Sequence, residues 1–286
     1  MAIVLGANRY GKAETRLVRV VKDGATHSLA DLNVSVALAG DLAATHLTGD
    51  NENVLPTDTM KNTVYAFAKQ HGVGEPEEFG LVLARHFVAT QPQVHEATVS
   101  IEAYSWRRLG PHSFQRGTDV TRTAVIRVSA TGTQVVSGIS GLVLLNSTAS
   151  EFRGFPRDRY TTLPETTDRI LATAVDAKWR HATDGSDWEK SYAGATDALV
   201  SAFVNTYSAS LQQTLMSMGS RVLETRPEIA EIRLALPNKH HYLVDLSPFD
   251  LANDNEVFIA GDRPYGLIEG TVTRDDAPPA SAQWYL

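Results

Sequence analysis

Hydrophobic and polar positions alternate along some stretches of this chain and recur every three to four residues along others. Alternation marks half-buried strands, and the longer period marks amphipathic helices. Arg16 to Val21 and Thr26 to Val36 alternate on either side of Asp23-Gly24, which predicts a hairpin. Asp-Gly tolerates the positive φ of a tight turn. Thr123 to Ser129 and Thr133 to Leu145 repeat the pattern around Thr131-Gly132. Met60, Val64, Phe67, Ala68 and His71 then share one helical face, with Thr57 placed as an N-cap. Phe79, Leu83, His86 and Phe87 predict a second helix, and Ala195 to Ser208 and Leu211 to Leu223 a second pair. Ile170 to His181 alternates instead and reads as a strand, with Leu171, Thr173, Val175, Ala177 and Trp179 on one face.

The two halves repeat each other. Thr90-Gln91-Pro92-Gln93-Val94 matches Thr225-Arg226-Pro227-Glu228-Ile229, and each string follows a helical segment and opens an alternating run. Ala97, Val99 and Ile101 continue the first run; Ile232, Leu234 and Leu236 continue the second. The pattern predicts an α+β protein of two tandem repeats, antiparallel sheet with helices on one face. We place the first repeat at 1–120, the second at 121–274, and a Pro/Ala/Asp-rich, loose tail at 275–286.

Composition narrows the chemistry. A hydrophobic share of 43% over 286 residues is enough for a substantial core, and a net charge of −7 disfavours a nucleic-acid partner. Cysteine is absent, which removes disulfides, thiol nucleophiles, iron–sulfur clusters and zinc–thiolate sites. Ala2 to Leu5 is too short an apolar run for a signal peptide, and no window resembles a membrane span. The chain ends Gln283-Trp284-Tyr285-Leu286 rather than in a peroxisomal tripeptide, so we expect a cytoplasmic protein.

Two stretches offer polar groups at strand ends. Gly6 to Lys12 has the spacing of a phosphate loop, but Ala13 replaces the Mg²⁺-binding hydroxyl and no helix pattern follows. Leu236 to Leu246 holds Pro237, Asn238, Lys239, His240 and His241 between two apolar runs. Proline cannot continue a central ladder, so the sheet must end or bulge there. An i, i+2 spacing on a strand would put Asn238 and His240 on one face and His241 on the other. The remaining histidines are scattered, without the companion spacing of a metal site.

Several separate strings resemble the urate oxidase family, in the family's order, from about residue 4 to about residue 273. They are Arg9 to Lys12, Thr57 to Thr63, Glu151 to Leu163, Thr166 to Thr173, Ser210 to Thr214 and Leu236 to Leu246. The resemblance implies tandem tunnelling-fold (T-fold) repeats that assemble into a homotetrameric tunnel with active sites at subunit interfaces. It also implies oxidation of urate by O₂ and water to 5-hydroxyisourate and H₂O₂, with no cofactor and no metal.

By the same resemblance, Lys12 and Thr57 form a dyad that takes a proton from urate. Read alone, they are a surface lysine and an ordinary cap. A neighbouring cation such as Arg9 favours the neutral amine the dyad needs. Asp58, which alone suits a helix N-terminus, joins Thr57 in touching the purine from a neighbouring subunit. Phe152 stacks on the ring. Arg169 and Gln212 clamp it, and Leu211 adds its backbone N–H. Alone, Arg169 suggests an ion pair with Asp168 or Glu165, and Gln212 a solvent-facing amide. Asn238 holds O₂ or water above the ring, and His240 relays protons. Two other readings remain open at this point: a T-fold enzyme acting on a pterin or GTP, and a purine-binding protein without catalysis.

Overall fold

The structure, a computed structural model, describes residues 1–280; the last part of the predicted tail, 281–286, lies outside the described residues. Strand β1 (Tyr10–Asp23) turns through Gly24 into β2 (Thr26–Gly40), and Gly24 takes the positive φ of 57° expected of that turn. Helices α1 (Ala43–Leu47), α2 (Thr57–Gln70) and α3 (Pro76–Thr90) follow, then β3 (Val94–Arg108) and β4 (Phe114–Ser129). The second half runs β5 (Gly132–Asn146), β6 (Leu171–His181), α4 (Trp188–Asn205), α5 (Leu211–Thr225) and β7 (Ile229–Pro237). It ends with β8 (His240–Leu243), β9 (Phe258–Gly261) and β10 (Leu267–Thr273). Apart from α1 and the small β8–β9 ladder, strand–strand–helix–helix–strand–strand is read twice.

Two differences from the sequence pattern stand out. The Thr123–Leu145 hairpin forms, as β4 and β5, but the strands leading into α4 are β5 and β6. The long loop between Asn146 and Leu171 removes the short turn that would have marked that pair. Helix α4 also begins earlier than predicted, because the Asp187 carboxylate accepts the Lys190 N–H at 3.1 Å and caps the helix ahead of Trp188.

Contacts divide the chain into two units: Met1–Gly138 with Trp179–Tyr192, and Ile139–Lys178 with the chain from Ala193 onward. In the first, the strand order is β1-β2-β3-β4-β5, and the β1–β2, β2–β3 and β3–β4 pairs are antiparallel. One face of this sheet carries Val34, Leu38, Val99 and Ile126, buried against Met60 and Val64 of α2 and Leu83 and Phe87 of α3. Burying each such side chain contributes about 2 kcal/mol. Helix α3 lies close on the sheet because Gly80 faces Ile126, where an added Cβ would meet the Ile126 Cδ1 at 2.4 Å.

Charged side chains lie in this unit's interior, Glu77 and Asp31 among them. Glu77 is 0% exposed and accepts from Arg122 at 2.7 Å and from the Ser137 hydroxyl at 2.5 Å. Arg122 also pairs with Glu75 at 2.5 Å. A buried carboxylate is tolerable only with such compensation.

In the second unit the order is β5-β6-β7-β10, with β7 and β10 antiparallel. Leu171, Thr173, Val175 and Ala177 are buried here, as is Trp179, counted with the first unit, so β6 is the strand the alternation predicts. Helix α5 packs through Gly219, whose added Cβ would meet Val272 of β10 at 2.5 Å. Among the described residues, no helix is long and apolar enough to cross a membrane.

Candidate active site

Lys12 owes its direction to a β-bulge. Leu17 is buried on the helix-bearing face, and uninterrupted alternation back from it would turn Lys12 to the opposite face. The register shifts between Lys12 and Thr15, so that Lys12 pairs with Val36 and Thr15 with Val34. One extra residue on β1 reverses the parity. Glu14 takes a left-handed φ of 56°, and its N–H donates to the Ser35 hydroxyl at 2.9 Å. Directly paired residues share a face, so Lys12 lies with buried Val36 on the side of α2. Lys12 is therefore part of a strand, and the phosphate-loop reading fails.

Thr57 and Asp58 open α2. Thr57 is the first helical residue rather than the N-cap; Pro56 takes the cap position, where its missing N–H costs nothing. The Thr57 hydroxyl is thus spared from capping and makes no hydrogen bond among the described residues. The Tyr10 hydroxyl donates to Leu55 O at 3.0 Å and ties β1 to the approach of α2. Lys61 beside Asp58 holds its carboxyl below the usual range, with smaller help from Asn62 and from the charge of Lys12. A cavity of about 330 Å³ lies at the bulge, lined by Arg9 to Ala13, Ser35, Thr98 and Ser100 among others.

The second unit assembles an arginine, an aromatic ring and a helix N-terminus. Phe152 exchanges backbone hydrogen bonds with Thr166 at 2.9 and 3.1 Å, and Phe155 stacks on its ring at 5.0 Å. The Arg169 guanidinium carbon is 5.2 Å from the Phe152 ring centre. Arg169 lies two residues before the start of β6; its Nε donates to the Ser150 hydroxyl at 3.2 Å. The expected ion pairs do not form: Asp168 accepts from Thr148 at 2.7 Å, and Glu165 from the Gly154 N–H at 3.1 Å. Burial pulls the guanidinium below its usual range. It stays charged at any ordinary pH.

At the start of α5, Ser210 caps the Gln213 N–H at 3.2 Å, and the Gln213 side chain accepts the Ala209 N–H at 2.8 Å. This capping box occupies Gln213 and leaves the Gln212 amide without a partner among the described residues. Leu211 and Gln212 supply the first N–H groups of the helix, which have no carbonyl within it.

The sheet ends at Pro237, as the proline predicts. Asn238 makes an isolated bridge with Thr173, and the Lys239 N–H donates to Ala172 O at 2.7 Å. His240 then begins β8 in a separate two-stranded sheet. Asn238 and His240 are thus not neighbours on one face of a continuous strand; a strand break parts them. His240 stacks on Tyr242 at 5.8 Å, whereas His241 is held by Lys239 O at 3.1 Å. The side chains of Asn238 and His240 have no hydrogen-bond partner among the described residues.

The candidates therefore form two groups: Lys12, Thr57 and Asp58 in one unit, and Phe152, Arg169, Leu211, Gln212, Asn238 and His240 in the other. A larger groove of about 450 Å³ between α4 and α5, lined by Ser201, Met216, Arg221 and Glu224 among others, holds none of them. Sequence reading missed Ser150. A serine two residues before an aromatic carries no signal of its own.

Two successive strand–strand–helix–helix–strand–strand repeats, with helices on one sheet face, make this a tandem T-fold protein. A family model for uricase matches residues 8–127 and 135–269. The uricase of Arthrobacter globiformis is 50% identical over 284 residues, covering 99% of this chain and 94% of that protein. The uricase of Dictyostelium discoideum is 39% identical over 276 residues, covering 93% of this chain and 96% of that one. The crystal structure of the Arthrobacter globiformis uricase superposes with a TM-score of 0.97, covering 100% of both chains at 50% identity. The chain belongs to the uricase family.

Proposed function

We propose that this protein oxidises urate with O₂ and water to 5-hydroxyisourate and H₂O₂, without a bound cofactor or metal, and does so as a homotetramer. Family membership over nearly the whole chain supports the reaction. One observation carries the binding site: a half-buried arginine without a carboxylate partner among the described residues, beside an aromatic ring and an amide that the helix cap leaves unengaged. Such a cation is compensated when an anion arrives.

In this reading the Arg169 fork and the Gln212 amide hold the carbonyl and N–H edge of the urate anion. The N–H of Leu211 adds the positive end of the α5 dipole. Phe152 sets the plane of the ring. Deprotonated urate is electron-rich enough to reduce O₂ itself, so the protein has to position, desolvate and move protons. Thr57 and Lys12 take the substrate proton. Asn238 holds O₂ and then water over the ring, and His240 passes protons to the reduced oxygen. Two electrons leave urate for O₂, two protons complete H₂O₂, and the oxygen of water becomes the new hydroxyl. Lys12, Thr57 and Asp58 come from one subunit, and the remaining site residues from its neighbour.

The test is loss of urate ultraviolet absorbance in air, for the wild type and for Lys12→Met. Rapid loss with the wild type and much slower turnover by Lys12→Met, at unchanged urate affinity, supports the assignment. Full turnover by Lys12→Met removes the dyad from the mechanism.

A further inference from the structure

Three buried hydroxyls connect Arg169 to the helix that bears Gln212. Ser150, Ser208 and Thr214 are 0%, 1% and 1% exposed. Burying a hydroxyl is costly unless it is hydrogen-bonded, and these are. Ser150 accepts from Arg169 Nε at 3.2 Å, and its carbonyl accepts the Arg169 backbone N–H at 3.0 Å. Ser150 forms a parallel bridge with Ser208, made by Glu151 N–H to Ser208 O at 2.8 Å and Ser208 N–H to Ala149 O at 2.9 Å. The Thr214 hydroxyl donates to the Ser208 hydroxyl at 2.8 Å, which donates to Ser210 O at 3.1 Å. Ser210 is the cap of α5. The chain of contacts thus runs from the guanidinium to the first turn of the helix without a break.

Both ends of this chain are fixed by it. Among the described residues the outer N–H groups of Arg169 have no partner while Nε is held, which selects one rotation of the fork. The N-terminus of α5 is held laterally by Thr214, one turn in, and axially by its cap. Ala149 takes a left-handed φ of 58°, a strained value for alanine, which lets the Ser150 segment meet Ser208. We propose that Ser150, Ser208 and Thr214 are positioning residues: they set the gap between the Arg169 fork and the Leu211–Gln212 amides to the width of the urate ring. The proposal rests on the clamp role given above to Arg169 and Gln212.

Thr214 permits a clean test, since valine keeps its shape without the hydroxyl and serine keeps the hydroxyl. Urate KM and kcat, xanthine binding by calorimetry, and the melting temperature are measured for Thr214→Val, Thr214→Ser, Ser150→Ala and Arg169→Ala. Thr225→Val serves as control, because the Thr225 hydroxyl returns to carbonyls of its own helix, Arg221 O and Val222 O. Thr214→Val and Ser150→Ala are expected to raise KM and the xanthine Kd about tenfold with kcat within about twofold, as for a lost hydrogen bond to a charged or orienting group. Thr214→Ser is expected to restore both, and Thr225→Val to change neither. A Thr214→Val protein with a lower melting temperature but unchanged KM and Kd overturns the proposal, as does a Thr214→Ser variant that behaves like valine. Ser150→Ala decides alone if Thr214→Val does not fold. If Arg169→Ala itself leaves urate and xanthine binding intact, the clamp reading has failed and the positioning role goes with it.

Discussion

The Arg169 guanidinium and the Phe152 ring stand 5.2 Å apart, and neither Asp168 nor Glu165 neutralises the cation. An arginine offers two parallel donors to one carbonyl edge, which a lysine cannot copy. Arg169→Lys should therefore raise the urate KM at least tenfold, since a hydrogen bond to a charged group is worth about 1.5–3 kcal/mol. Steady-state kinetics decide it; an unchanged KM would mean the fork is not used.

The bulge in β1 makes a sharper prediction about Lys12. Removing Ala13 and Glu14 together takes out the bulge and one residue more, pairs Lys12 with Ser35 and turns it away from α2. The deletion should fold, retain xanthine binding and lose turnover to the level of Lys12→Met. Circular dichroism establishes folding, and a turnover close to wild type would show that the bulge does not aim the lysine.

If each site draws on two subunits, inactive variants should rescue one another. Lys12→Met and Arg169→Ala, unfolded together and reassembled, should give mixed oligomers that recover activity absent from either parent. Recovery requires the two residues to come from different chains. Mixed oligomers, verified by mass, that stay inactive would confine the site to one chain.

The buried carboxylate predicts a stability effect far from catalysis. Arg122→Met leaves Glu77 with only the Ser137 hydroxyl and should cost about 3–5 kcal/mol in denaturant unfolding. A loss below 1 kcal/mol, on the scale of an exposed pair, would contradict the burial argument.

His86 predicts a pH dependence. Its ring lies 4.6 Å from Phe67 and 5.5 Å from Phe87; burial, then the charge of His71, pushes its pKa below the ordinary 6.5. Folding therefore favours the neutral ring. The stability it confers is present above 6.5 and is lost as pH falls through the lower folded value. His86→Phe should flatten the acid side of the stability curve and leave pH 8 little changed. An equally steep decline in the variant would assign the dependence to other groups.

The fold was legible where packing follows local pattern. Alternation gave β1, β2 and β6, helical spacing gave α2, α3 and α5, and Pro237 marked the end of β7. What escaped depends on contacts distant in sequence. The Asp187 cap extends α4 ahead of its apolar stripe, and Pro56 displaces Thr57 from the cap. The one-residue bulge reverses the face of Lys12, and no alternation rule sees it. Spacing alone treated Asn238 and His240 as one strand face: Pro237 signals that the ladder ends or bulges, but not that His240 joins a different sheet. Gln212 and Gln213 are chemically alike; only the capping geometry separates the engaged amide from the free one. The roles of the site residues came into view through family resemblance, since a hydroxyl, a cation and an amide each have an ordinary structural use.

The most direct measurement is the stoichiometry of the reaction in protein freed of metals by a strong chelator and dialysis. Urate loss, O₂ uptake and H₂O₂ formation are followed together in air. Rapid turnover is expected, with one O₂ consumed and one H₂O₂ released per urate, unaffected by the chelator. Urate bound but not consumed, or turnover that returns only on adding a metal, would contradict it.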